Sequence, residues 1–358
     1  MSAALQRRVL LAGYALAAAV RLVLLFSYGG GYDTESYEII VGIEERHGDV
    51  YSETTRYNYS PVWGLWLRAL AAVGRASGLA LLRTVGLFLF SVDAATAFLV
   101  TRLARARWGR ERSRLAGFLF FANPVSVLLS SRHLQFDNVS LLFLLLAIAA
   151  VEARRGIAPA AGFLSISLLV KHVTWFHPLL FPRRKRSGEW IWAAVPYAVF
   201  ALSFLPWASS WREIVNHVFR YRGLLGNYGT EALLLIRGVP DWVPVALFLA
   251  ACGLALWKLD RTDLVRASLL LFLVILIFLP GFGRQYCVWP IALGSVAPGA
   301  GLAVYTLVAT GFLARGVYGF DQAPAWLPGW YGPWWAAGLW LLLELRRKPA
   351  DLRSEVIA

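Results

Sequence analysis

Two carboxylates, Asp33 and Glu35, stand in the segment Tyr32-Asp33-Thr34-Glu35-Ser36-Tyr37, directly after a long apolar run. An acid placed there can take the proton of an attacking hydroxyl, and Asp33 is the candidate base. Asp33 could equally cap a helix beginning at Thr34, and one residue can do both. Glu35 reads as a solvated loop residue, or as a metal ligand or second acid. The Tyr-rich stretch Thr55-Arg56-Tyr57-Asn58-Tyr59-Ser60-Pro61 follows, and Tyr57 and Tyr59 could line a pocket with their rings and hydroxyls. Further on come His133, Gln135 and Asp137, then Lys171 and His172, Arg220 and Arg222, and Arg284 and Gln285. Arg and Lys suit a phosphate; Gln135 is a further polar pocket candidate; Asp137 either caps the helix after it or shapes the pocket. Two acids without a nearby His ligand argue for no metal ligand, and leave a divalent cation, Mg or Mn, open.

The elements that must position these groups are apolar. The chain has 358 residues, 58% hydrophobic and 16% charged, with a mean hydropathy of +0.58. A soluble domain is nearer half apolar and a quarter charged. Several runs approach the ~20 residues that cross a bilayer. An all-α integral membrane protein is expected, with 1–358 forming a single polytopic domain. The net charge of +14 does not point to nucleic acid, because the basic residues cluster between apolar runs as topology signals do. Cys252 and Cys287 lie inside apolar runs, so a disulfide framework is not expected.

Arg7 and Arg8 place the N-terminus inside and 9–27 as an uncleaved first span. Residues 28–60 then lie outside, with seven acids against Arg46 and Arg56. The run 61–76 reads as an interfacial helix, with Trp63 and Trp66 at headgroup depth and Arg68 snorkelling. If it spanned instead, the Arg cluster of 102–114 would land outside. Later passes follow at 81–103, 115–130, 138–153, 189–208, 241–258, 266–280, 286–298, 300–315 and 329–345. The run 157–182 reads as a hairpin of two short helices turning near Lys171-His172, which keeps 183–186 inside. The sum is about 10–12 passes, with outer loops at 28–80 and 209–240 and both termini cytoplasmic in a cell membrane. Asp93 falls mid-membrane and needs an Arg or hydroxyl partner. The sequons at Asn58 and Asn138 lie too close to Pro61 and to the membrane for use.

With that orientation the unexplained polar residues, Arg132 included, collect on the outer side. There the motifs become familiar. The Asp after span 1, followed by "TTRYNYSPVWGLWL", resembles the first outer loop of the GT-C glycosyltransferases, especially the catalytic subunit of GPI mannosyltransferase I and similar polyprenyl-phosphate-sugar enzymes. "SRHLQFDNVSLLFLLLA" resembles their Gly-Gln-x-Asp segment, and "LLVKHVTWFHPLLF" the segment carrying a Lys. "VFRYRGLLGNYG" is similar to an Arg-Gly-Leu stretch of the dolichyl-phosphate-glucose glucosyltransferases, and "FGRQYCVWPI" to a late Gln-Tyr-x-x-Trp-Pro stretch. The likeness covers roughly 30–320. The chain departs from the pattern in Asp33-Thr34-Glu35, which is not Asp-x-Asp, and in Leu134 where Gly precedes the Gln.

The resemblance implies a GT-C-like helical bundle with an outer active site. It implies transfer of one sugar, a hexose such as mannose, from a polyprenyl-phosphate donor to a lipid-linked glycan or polymer acceptor, with inversion. The partners expected are that donor, that acceptor and membrane lipids. A transporter or flippase of an anionic polyprenyl-linked lipid is the alternative, though related halves with matching broken helices are not seen in the sequence. A non-catalytic scaffold is the third reading.

Overall fold

Serine, proline and glycine set the helix ends that matter most. In the computed structural model, residues 3–27, 30–182, 187–221, 230, 239–240, 242–317 and 332–347 are described. Helix α1 is Ala3–Ser27, α2 Tyr32–Glu45, α3 Val50–Glu53 and α4 Pro61–Ser77. At α4 the Ser60 hydroxyl accepts from the Val62 amide at 3.3 Å, Pro61 occupies the first turn, and Gly78 closes the helix at φ +71°. That is the usual asymmetry of proline in and glycine out. At α2 the Thr34 hydroxyl accepts from the Gly31 amide at 2.7 Å and donates to its carbonyl at 2.8 Å. Gly31 is therefore the cap, and Asp33 lies inside the first turn.

Helix α5, Leu81–Phe121, is broken at Gly109, where φ is +70°. After it come α6 Pro124–Val127, a π-turn Leu128–Arg132, α7 Asp137–Glu152, α8 Ile157–Val170, α9 Trp190–Leu202 and α10 Trp211–Ile214. The remaining helices are α11 Trp242–Lys258, α12 Leu264–Phe278, α13 Ile291–Val296, α14 Ala300–Val317 and α15 Gly332–Arg346. No strand occurs among the described residues. Leu5–Ser27 and Leu81–Phe121 are long and apolar enough to cross a membrane, and the bent pair 187–202 and 205–219 would make a third. Over its described residues the chain is an all-helical membrane protein.

The chain divides into two compact units. One comprises Ala18–Ala95 and Leu129–Tyr221. Within it α2 packs on α4, α4 on α8, and α8 on both α7 and α9. Tyr37, Ile40 and Val41 on α2 meet Trp63, Leu67 and Ala71 on α4, all buried; each set keeps the three-and-four spacing of one helix face. Trp63 lies flat on Phe136 with ring centroids 3.9 Å apart. Burying a side chain of this size stabilises by roughly 1.5–3 kcal/mol.

The other unit comprises Met1–Ala17, Thr96–Leu128 and Arg222–Ala358. There α12 lies against α11, α13 and α15, and α14 runs beside α15. Asp263 caps α12 by accepting from the Arg266 amide at 3.0 Å. It also receives both Nη atoms of Arg107, at 2.8 and 2.5 Å. The Arg266 guanidinium in turn donates to the carbonyls of Glu344 and Arg347 at the end of α15, at 2.6 and 3.0 Å.

Two segments differ from the sequence expectation. The second arm of 157–182 is not an α-helix: after Val170, Lys171 turns extended, and only the 3-10 turns His172–Thr174 and His177–Leu180 follow. Pro178, which lacks an amide proton, sits inside the second of these. The run 286–298 is likewise a 3-10 turn, Arg284–Val288, and the six-residue α13.

Candidate functional site

Asp33 projects from the first turn of α2 and is exposed. Its Oδ2 accepts a hydrogen bond from Gln135 Nε2 at 2.6 Å. Gln135 is buried, with its amide donating to the Leu129 carbonyl at 2.9 Å. The residue before it, Leu134, adopts φ +52°, a left-handed conformation costing about 1–2 kcal/mol for a residue with a Cβ. Two contacts hold it there. The Tyr37 hydroxyl, one turn after Asp33 on α2, donates to the Leu134 carbonyl at 2.9 Å. The Leu134 side chain is itself buried, close over Gly86.

Phe136 and Asp137 come next in the same turn. Asp137, in the first turn of α7, pairs with Lys171 Nζ at 2.6 Å, and the two side chains are only 1% and 4% exposed. The ammonium also lies 4.8 Å from the Phe136 ring centroid and 5.3 Å from that of Tyr59, within cation–π range. Tyr59 meets Phe136 edge-on at 4.9 Å. Burial, then Tyr37, Asp137, Tyr221 and Asp33 around it, push the Tyr59 hydroxyl well above its ordinary range. Burial and Asp33 raise the Tyr221 hydroxyl in the same way, against a hydrogen bond with Asn58. Asp33, Tyr59, Gln135, Asp137, Lys171 and Tyr221 therefore share one neighbourhood.

Tyr57 plays a different part. It is fully buried, donating to the Ser60 carbonyl and accepting from the Gly64 amide at 2.8 Å. Its hydroxyl braces the start of α4 and does not face outward. Glu35 is 64% exposed and 3.5 Å from Arg56, a loose pair. Arg56 lies over the Tyr32 ring at 3.8 Å and donates to the Tyr32 carbonyl at 2.5 Å.

His172 follows Lys171 in the 3-10 turn. Burial, with the Lys171 charge beside it, lowers its imidazole to about 4. It is neutral at physiological pH, and its Nδ1 is buried without a hydrogen-bond partner. Lys171 and His172 are thus not two open cations in this geometry: one is matched by Asp137 and the other is uncharged. His133, half-buried, sits at the end of the π-turn region. Arg220 is exposed and reaches Asn216 of its own turn at 3.4 Å. Arg222 lies outside the described residues. Arg284 and Gln285 are half-buried in the 3-10 turn of the other unit, where the Gln285 side chain folds back over Gly283.

Asp93 has the partner its position demands. It is fully buried and paired with Arg21 of α1, and it accepts from Asn138 Nδ2 at 2.6 Å. Arg21 carried a readable signal, being a cation inside an apolar run. Asn58, Arg56 and Tyr221 carried none. No group of three or more His, Cys, Asp or Glu that could hold a metal ion occurs among the described residues.

Over an alignment of 115 positions the chain is 31% identical to a probable dolichyl pyrophosphate Man9GlcNAc2 alpha-1,3-glucosyltransferase of Drosophila melanogaster. The match takes in 28% of this chain and about a quarter, 24%, of that protein's length. No family model matches the chain, and no solved structure matches it.

Proposed function

We propose that the chain transfers one sugar, a hexose such as mannose, from a polyprenyl-phosphate donor to a lipid-linked or polymer acceptor on the non-cytoplasmic face of the cell membrane. The observation that carries this reading is the exposed Asp33 carboxylate, tethered by Gln135 beside the Asp137–Lys171 pair. One oxygen of Asp33 is engaged by a neutral donor, which fixes its direction without cancelling its charge. An acceptor hydroxyl attacks the anomeric carbon as the bond from that carbon to the phosphate oxygen breaks. Its proton passes to Asp33, and the polyprenyl phosphate leaves with the bonding electrons. Attack opposite the leaving group inverts the centre. Tyr59 and Tyr221 offer ring faces to the sugar, and cations stabilise the charge that grows on the phosphate. Lys171 can join them only by releasing Asp137, and Arg220 is a further candidate.

The test is genetic and chemical. Deleting the gene should remove one hexose from a membrane glycolipid, read by mass spectrometry, and the wild-type gene should restore it. Asp33→Asn should leave the protein in the membrane at wild-type level and lower transfer by about 10²–10⁴-fold, as loss of a general base does. Wild-type glycolipids in the Asp33→Asn strain would rule out the base. Movement of lipid with no new glycosidic bond would identify a transporter.

A further inference from the structure

Inside the unit that holds Asp33, one buried carboxylate ties both ends of the turn that carries Gln135. Asp93 accepts from Asn138 Nδ2 at 2.6 Å, and the same nitrogen reaches Ser130 Oγ at 2.9 Å. Arg21 pairs with Asp93 through Nη1, which also approaches Ser131 Oγ at 3.5 Å. Ser130, Ser131 and Asn138 are all buried. Between them the backbone takes two unfavoured forms, the π-turn Leu128–Arg132 and the left-handed Leu134. Such backbone persists only where its surroundings over-determine it.

We propose that Arg21, Asp93 and Asn138 are positioning residues that hold the Ser130–Asn138 turn in register, so that Gln135 meets Asp33. An apolar pair between α1 and α5 would join these helices as well as a buried ion pair does, or better. It would not offer Asn138 an acceptor, and the turn would lose its anchor at both ends. This inference rests on the reading of Asp33 as the base, and deepens it.

Arg21→Met/Asp93→Leu keeps the helix contact and removes the acceptor; Ser130→Ala is the milder companion, should the double variant fail to fold. Purified protein in detergent is followed by hydrogen–deuterium exchange. Exchange across 129–137 should rise at least about tenfold in the double variant, and less in Ser130→Ala, with α7 and α8 beyond the turn unchanged. With polyprenyl-phosphate-mannose as the probe, kcat should fall roughly 10–100-fold, as misplacement by about 1 Å does, while KM stays near wild type. Adding Gln135→Leu should then cost little more. Wild-type exchange across 129–137 in a folded double variant would overturn the proposal, as would a fall in kcat fully additive with that of Gln135→Leu. If wild-type protein transfers no sugar but exchange behaves as stated, the enzymatic reading has failed and the register role stands.

Discussion

Asp33 and Asp137 occupy the same kind of place, the first turn of a helix, and meet opposite fates. At the start of α2, Asp33 is exposed and held by an uncharged amide. At the start of α7, Asp137 is buried and its charge is matched by Lys171. Position at a helix N-terminus favours both carboxylates equally. What separates them is the partner: an amide orients an acid and leaves it able to take a proton, whereas a buried ammonium neutralises it. One turn of chain, 135–137, supplies both Gln135 and Asp137, so the exposed acid's partner and the buried acid itself are close neighbours in sequence.

Breaking the structural side should cost most. Lys171→Met leaves a buried carboxylate without its cation, and a loss of about 3–5 kcal/mol is expected, read as a fall in the detergent melting temperature. Pairing it with Asp137→Leu should recover most of that loss. Asp33→Asn, by contrast, should change stability by no more than about 0.5 kcal/mol, as at an exposed site.

Acid should act next, through His172 beside the buried pair. Its folded-state value of about 4 lies below the ~6.5 of a free imidazole. Between these values the unfolded chain binds more protons than the folded one, so stability falls as pH falls from about 6.5 and levels off near 4. The loss should reach at most about 3 kcal/mol, and His172→Gln should flatten that part of the pH–stability curve.

Leu134→Gly sharpens the comparison from the turn itself. Relief of the left-handed backbone returns about 1–2 kcal/mol, but deleting a buried Leu side chain removes more, about 2–5 kcal/mol. A net destabilisation of about 2 kcal/mol, and no more than about 4, is expected from chemical denaturation. The smallest effect should come from Glu35→Gln, whose pairing with Arg56 is long and open to water. Less than about 1 kcal/mol in stability is expected, with sugar transfer within about twofold of wild type.

The apolar runs and the burial of Asp93 against a cation were legible in sequence, because a charge inside a bilayer-length run demands a partner. So was the gathering of Asp33, Tyr59, Gln135 and Lys171, through their shared place at the ends of such runs. Three things were not. Hydropathy does not separate an α-helix from 3-10 turns, so the extended Lys171 and the turns after it read as a second helix. The pairing of Lys171 with Asp137 depends on how α7 meets α8, and a list of cations does not show which of them is already matched. Leu134 in a left-handed conformation gave no sign, since Gly or Asn normally marks that geometry. The grouping of Arg284 with Asp33 came from order along the chain alone; the two belong to different compact units.

Gly109 interrupts α5 at φ +70° with open space where a side chain would begin. A substituted residue there would be strained, but extra chain would not be, because the helix has already ended. A short epitope or protease site inserted at Gly109 should fold as a tethered flap, and whether an added antibody or protease reaches it in sealed vesicles would report which way the molecule is threaded through its bilayer.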